Sequence, residues 1–182
     1  MIRELKAVTS QHDVRFVLFM DDTFILQDKW LQEFMLRYQA EIGLPFWCQV
    51  RANLVTDDKI ALFRDAGCVS VSFGVEAGNE HLRNVILNRN MSDAQIVGAA
   101  AILRRHGIAF MTNNMLGLPT GSLETDFETL DLNARCRPAY ACSTCRASKS
   151  PIEWRFSLRT WSMICRTAWR STSKLAKTGS GR

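Results

Sequence analysis

Residues 69–92 read VSVSFGVEAGNEHLRNVILNRNMS, and the rest of the chain is organised around this stretch. It opens as an apolar run, 69–75, dense in β-branched and aromatic residues, as a buried parallel strand is. The run ends at Glu76, then Ala77 and Gly78, and a helical pattern follows at once near Asn79. A carboxylate at the C-terminal end of a buried strand, beside a glycine that permits a sharp turn, occupies the place where α/β proteins hold ligands. The plainer alternative is that Glu76 caps the following helix. Spacing alone leaves both readings open.

Upstream, residues 2–12 predict a short helix with Leu5 and Val8 on one side. Residues 14–20, nearly all apolar, predict a strand covered on both faces and ending at Asp21-Asp22. Trp30, Phe34, Tyr38 and Ile42 then recur at helical spacing, with Gly43 as the stop signal and Pro45 beyond it. A second strand over 46–50 runs into Arg51-Ala52-Asn53, and Thr56-Asp57-Asp58 opens a helix that closes at Gly67.

Downstream, Ser92-Asp93 caps a long helix ending in Arg104-Arg105-His106, where basic residues suit the negative helix end. A fourth strand over 108–116 runs into Gly117-Leu118-Pro119, and Ser122 opens a helix reaching about Asn133. Strand and helix thus alternate four times, which argues for a parallel sheet with right-handed crossovers. No strand–helix loop carries GxGxxG or a phosphate-loop signature, so a partial β/α barrel fits better than a dinucleotide-binding fold. Asp21, Asp22, Arg51, Asn53, Glu76 and the Gly-Leu-Pro turn then share one rim.

The formal charge of +5 hides a split. Up to Asn133 there are 12 Lys and Arg against 17 Asp and Glu; from Ala134 onward there are 11 against Glu153 alone. The later stretch also holds four of the six cysteines and three of the five tryptophans, and residues 141–182 show no sustained helical or strand period. No run of about eighteen apolar residues occurs, so no membrane span is expected. The N-terminus lacks the apolar core of a signal peptide, and six cysteines in 182 residues do not suggest a secreted disulfide scaffold. A cytoplasmic protein is expected.

The segments from Phe19 to Phe24, Arg51-Ala52-Asn53, Gly74-Val75-Glu76-Ala77-Gly78, Asn88-Arg89-Asn90 and Gly117-Leu118-Pro119, with Glu124-Thr125 downstream, follow one another as in radical S-adenosylmethionine (SAM) enzymes. The chain most resembles the subgroup whose full-length members often carry a cobalamin-binding domain ahead of the radical core. The resemblance covers about residues 1–140 and implies a partial (β/α) barrel of the radical SAM type, incomplete at both ends. It implies a [4Fe-4S] cluster on a CxxxCxxC loop, with SAM chelating the fourth iron by its amino and carboxylate groups. Reduction by a flavodoxin- or ferredoxin-type donor then cleaves SAM to a 5′-deoxyadenosyl radical, which abstracts hydrogen from a substrate that the sequence does not identify.

Carried onto this sequence, Asp21 and Asp22 would meet the SAM amino group, Glu76 the ribose hydroxyls, and Arg89 the carboxylate. The backbone of Gly117-Leu118-Pro119 would approach adenine. Each has a plain counterpart: an Asp helix cap, a solvated linker Arg, an ordinary turn.

The chain departs from the family at its centre, because CxxxCxxC is absent. Cys48 and Cys68 are isolated and read as core thiols, while Cys136, Cys142 and Cys145 give CxxxxxCxxC at the wrong end of the fold. The cluster loop is expected before Met1, and residues 141–182 are expected to be the product of a shifted reading frame. The chain as it stands is therefore expected to be an inactive fragment, poorly soluble because the edges and apolar faces of 14–20 and 108–116 are exposed. Two other classes remain. One is a β/α-barrel enzyme using Asp21, Asp22 and Glu76 as hard ligands for Mg²⁺ or Mn²⁺. The other is a nucleic-acid-binding protein acting through the basic tail, the weaker reading because no patterned element carries those residues.

Overall fold

The computed structural model describes residues 1–21 and 23–145. Asp22 and the basic stretch from 146 to 182 lie outside the described residues, and with them most of the segment expected to be frame-shifted.

Five strands pair in parallel in their order along the chain: β1 (Val17–Phe19), β2 (Phe46–Gln49), β3 (Cys68–Glu76), β4 (Ala109–Leu116) and β5 (Tyr140–Cys145). Helix α1 (Ile2–Gln11) precedes them, and α2 (Asp28–Glu41), α3 (Asp57–Asp65), α4 (Asp93–Arg105) and α5 (Leu123–Cys136) fill the crossovers. The partial β/α barrel expected from the alternation is the observed architecture.

The helix boundaries follow local chemistry. The Thr56 hydroxyl accepts the Lys59 amide at 3.4 Å, and Ser92 with Gln95 closes a capping box on α4. Glycines in the left-handed region, Gly43 at φ +64° and Gly67 at φ +93°, end α2 and the turn after α3. Helix α2 buries Leu31, Phe34, Met35 and Tyr38. There they meet Phe19, whose ring packs on Phe24, Phe34, Tyr38 and Phe46 at centroid distances from 4.6 to 5.6 Å.

Two expectations need correction. The first strand is three residues long rather than seven, and only one of its faces is covered: Val17 and Phe19 are buried while Leu18 is 47 % exposed. The polar segment before it, where Arg15 pairs with Asp13 at 2.7 Å, stays outside the ladder. Second, the sheet passes the composition junction. Residues 141–145 continue β5 along β4, from Met111↔Tyr140 to Leu116↔Cys145, so the edge of β4 is paired rather than open. A sequence rich in Cys, Ser and Thr gives no period there because the pairing is supplied by the neighbouring strand.

Buried polar residues knit β4 to α5. Thr112 donates to Asn133 Oδ1 at 2.6 Å, Asn133 donates to Asn114 Oδ1 at 2.8 Å, and Asn114 donates to the Cys142 carbonyl at 2.9 Å. Each amide would be costly to bury unpaired, and together they align the last strand pair with its helix.

Candidate functional site

Parallel strands collect the residues that follow them on one rim, and Glu76 stands at its centre. It is the last residue of β3, its backbone lies in the left-handed region at φ +66°, and the β3–β4 register shifts between Gly74 and Glu76. A non-glycine residue at positive φ is strained, and such strain gathers at functional positions. The bulge turns the Glu76 carboxylate back over Gly74, whose own Cβ would lie 2.0 Å from Glu76 Oε1. Gly74 is therefore the space that the carboxylate uses.

Arg89 faces this carboxylate, with Nη2 3.4 Å from Oε1 and side-chain exposures of 33 % and 17 %. Burial raises the Glu76 carboxyl above its usual value, and Arg89 opposes that rise. Arg89 is presented by two left-handed asparagines, Asn88 and Asn90, both at φ +51°. Asparagine tolerates that region better than other side chains do. Arg51, in the loop after β2, donates through Nη2 to the Arg89 carbonyl. Among the described residues, three buried polar atoms lack a partner: Arg51 Nε, Asn53 Oδ1 and Arg89 Nε.

Of the two readings of Glu76, the cap role falls to another residue. Asn79 Oδ1 accepts the Leu82 amide at 3.1 Å and opens the short π-type turn Leu82–Ile86. Gly78 lies against α5, where a Cβ would come 2.2 Å from the Glu128 backbone, and its amide donates to Thr129 Oγ1 at 2.9 Å.

The Gly117-Leu118-Pro119 turn joins the same end of the sheet. Leu118 is buried with Ala77 and Leu82, with Leu87 and Met115 packed against them, while Gly117 and Pro119 are exposed. The Gly117 amide donates to the Asp126 carboxylate at 3.1 Å. Asp21 is exposed beyond β1, and Asp22 is outside the described residues. The structure thus brings Glu76 and Arg89 into contact and hangs the Gly-Leu-Pro turn on the residues directly after Glu76.

Sequence reasoning missed Arg83. Within an apparent helical pattern an arginine reads as a solvated face, yet Arg83 is fully buried. The only hint in the sequence is that it sits among Leu82, Val85 and Ile86.

The thiols of Cys48 and Cys68 meet each other in the core, but no third cysteine among the described residues joins them. Cys48, Cys68 and Cys136 are buried, Cys142 is half-buried and Cys145 exposed. Among the described residues no three His, Cys, Asp or Glu side chains stand close enough to hold a metal ion. The donor set described here therefore does not fit a [4Fe-4S] cluster, while the Mg²⁺ or Mn²⁺ reading turns on Asp22, which lies outside the described residues.

The rim offers a carboxylate acceptor at Glu76 and guanidinium donors without a partner among the described residues. Comparison with known proteins gives the family. The profile described as the Radical SAM superfamily matches residues 1–132. The chain belongs to the radical SAM superfamily. An uncharacterized methyltransferase of Pyrococcus horikoshii is 22 % identical over 125 residues, 68 % of this chain and 27 % of the relative. The anaerobic magnesium-protoporphyrin IX monomethyl ester cyclase of Rubrivivax gelatinosus is 27 % identical over 144 residues, 78 % of this chain and 26 % of the relative. Among solved structures, the radical SAM methyltransferase TsrM of Kitasatospora setae, with cobalamin and a [4Fe-4S] cluster bound, superposes with a TM-score of 0.68 at 18 % identity. That match covers 79 % of this radical SAM chain and 30 % of TsrM. The chain spans about a quarter of the length of the curated relatives it matches. Among its described residues no helix is long and apolar enough to cross a membrane.

Proposed function

We propose that this chain supplies the SAM-facing rim of a cytoplasmic radical SAM enzyme of the cobalamin-associated kind, acting as a methyltransferase or a cyclase. The observation that carries the reading is the Glu76 carboxylate, held at positive φ over Gly74 and faced by Arg89. Glu76 would accept the ribose hydroxyls, and Arg89 would pair with the SAM carboxylate. Asp21 and Asp22 would meet the ammonium, and the Gly117-Leu118-Pro119 backbone would lie along adenine. When bound, SAM supplies the methyl or 5′-deoxyadenosyl group that is transferred or cleaved.

The residues described here do the binding and orienting. A carboxylate accepting two vicinal hydroxyls and a guanidinium meeting a carboxylate are both charge-assisted contacts, shorter and stronger than neutral ones. The unpartnered Nε groups of Arg51 and Arg89 leave the rim with donor capacity for an anionic ligand group. No step is assigned to the cluster, because the described cysteines cannot hold one. Cluster ligands, a cobalamin domain and a flavodoxin- or ferredoxin-type donor would have to come from elsewhere in a complete enzyme.

Titration calorimetry of the chain with S-adenosylhomocysteine, which needs no cluster chemistry, tests the reading. Saturable binding that weakens about tenfold or more in Glu76→Gln is the expected result. Binding unaffected by that substitution, or no binding, overturns it. The metal-dependent alternative is disfavoured because Glu76 already faces a guanidinium, and the nucleic-acid alternative rests on residues outside those described.

A further inference from the structure

We propose that Arg83 is a positioning residue that sets where Glu76 and Arg89 stand relative to one another, and with them the shape of the rim. Its functional consequence rests on the SAM-binding reading above; the positioning itself does not.

A guanidinium carries five N–H donors in a rigid fork. In Arg83 all five have acceptors, in a side chain with no exposed surface. Nη1 donates to the carbonyls of Ala77 at 2.7 Å and Gly78 at 3.0 Å, the two residues directly after Glu76. Nε donates to the Met91 carbonyl at 2.8 Å, two residues after Arg89. Nη2 meets Asp93 Oδ1 at 2.7 Å and Glu80 Oε1 at 3.4 Å, which keeps its charge compensated. Backbone bonds tighten the same loop: the Arg89 amide donates to the Arg83 carbonyl at 3.0 Å. The Met91 amide is held by Asn84 Oδ1 at 2.9 Å.

One planar group thus grips the chain on the far side of Glu76 and on the far side of Arg89. Glu76 ends β3 while Arg89 lies in a separate loop, and their own contact is a long one at 3.4 Å, with neither side chain fully buried. That pair is too weak to hold two left-handed backbone segments in place. A buried, fully bonded cation is strong enough, since losing one partner of such a network leaves carbonyls unsatisfied in the interior. Lysine keeps the charge but has three donors on a flexible stem, so it cannot make the same set.

The test uses the full chain with ¹³C-labelled glutamate and follows the Glu76 titration by NMR in four proteins. These are wild type, Arg89→Gln, Arg83→Lys, and the double variant. In the wild-type background Arg89→Gln raises the Glu76 midpoint, because the opposing cation is gone. If Arg83 positions the pair, the same change in the Arg83→Lys background moves the midpoint by less than about half as much. Equal shifts in both backgrounds overturn the proposal, since a purely stabilising residue would leave the Glu76–Arg89 coupling intact. Should Arg83→Lys fail to fold, hydrogen exchange of the Arg83 guanidinium N–H groups in the wild-type chain decides: protection like that of the β3 amides supports the grip, and exchange at solvent rates overturns it. S-adenosylhomocysteine affinity, measured in parallel, separates the two readings. A lost coupling without ligand binding by wild type keeps the positioning role and removes the SAM assignment; binding by wild type, unchanged in Arg83→Lys, removes the functional consequence of the grip.

Discussion

The Glu76 carboxylate stands where a side chain on Gly74 would begin, 2.0 Å from the Cβ that Gly74 lacks. These positions are two residues apart on one strand, and only the small size of the first lets the second's carboxylate fold back over it. The rim acid thus depends on a residue that has no side chain of its own.

Gly74→Ala is therefore expected to displace the Glu76 carboxylate and abolish S-adenosylhomocysteine binding while the chain stays folded. Gly98→Ala in α4 is the control, because nothing lies within 4 Å of its Cβ. There the helix should gain about 0.5–1 kcal/mol with binding unchanged. Calorimetry and urea unfolding on both variants give the comparison, and equal binding by Gly74→Ala would refute the arrangement.

Burial lifts the Glu76 carboxyl above its ordinary value of 4.5. A raised carboxyl means that the folded chain holds this proton more tightly than the unfolded chain does. The group's contribution is then most favourable below that ordinary value and declines as pH rises through the folded one. Glu76→Gln removes the decline. Its stability relative to wild type should be higher at about pH 7 than at about pH 4, as read by urea midpoints. A relative stability that falls with rising pH would contradict the burial argument.

Glu41 behaves oppositely. It accepts from Arg37 Nε at 2.8 Å and faces Lys6 Nζ at 2.6 Å, and these cations hold its carboxyl down to about 2. A lowered carboxyl stabilises the fold above its unfolded value and loses that effect as pH falls toward the folded one. Since Lys6 lies on α1 and Glu41 ends α2, acidification through this window should loosen α1 before the sheet. Amide exchange in α1 that matches the sheet at low pH would rule this out.

On α5 the side chains of Leu123, Phe127 and Leu130 recur at helical spacing yet are 66 %, 58 % and 52 % exposed. Large apolar stripes left in water promote association. The triple change to Ser, Glu and Gln should raise the monomer fraction in size-exclusion chromatography at unchanged helical circular dichroism. An unaltered elution profile would move the cause of any association to another surface.

Local signals in the sequence carried most of this fold. Thr56 and Ser92 cap their helices and Gly43 and Gly67 end theirs because capping chemistry is decided within a few residues. The strand over 140–145 was not legible, since its polar residues pair through β4 rather than through a pattern of their own. The first strand was read too long because an apolar run shows where a strand can form, not how far its neighbour follows it. At the rim, Glu76 was visible as a carboxylate at a strand end. Arg83 was not, because a buried cation is defined by acceptors that come from three separate turns of backbone.

The apolar residues beneath the rim, Ala77, Leu82 and Leu118, form a cluster distinct from the main core around Phe19, Phe46, Phe63 and Phe110. Cooperative units in proteins tend to follow such divisions. The edge that carries Glu76 is therefore packed on a cluster of its own, apart from the core that holds the sheet. Substitutions within that small cluster leave the contacts of the aromatic core in place, so this edge is free to vary while the scaffold stays constant.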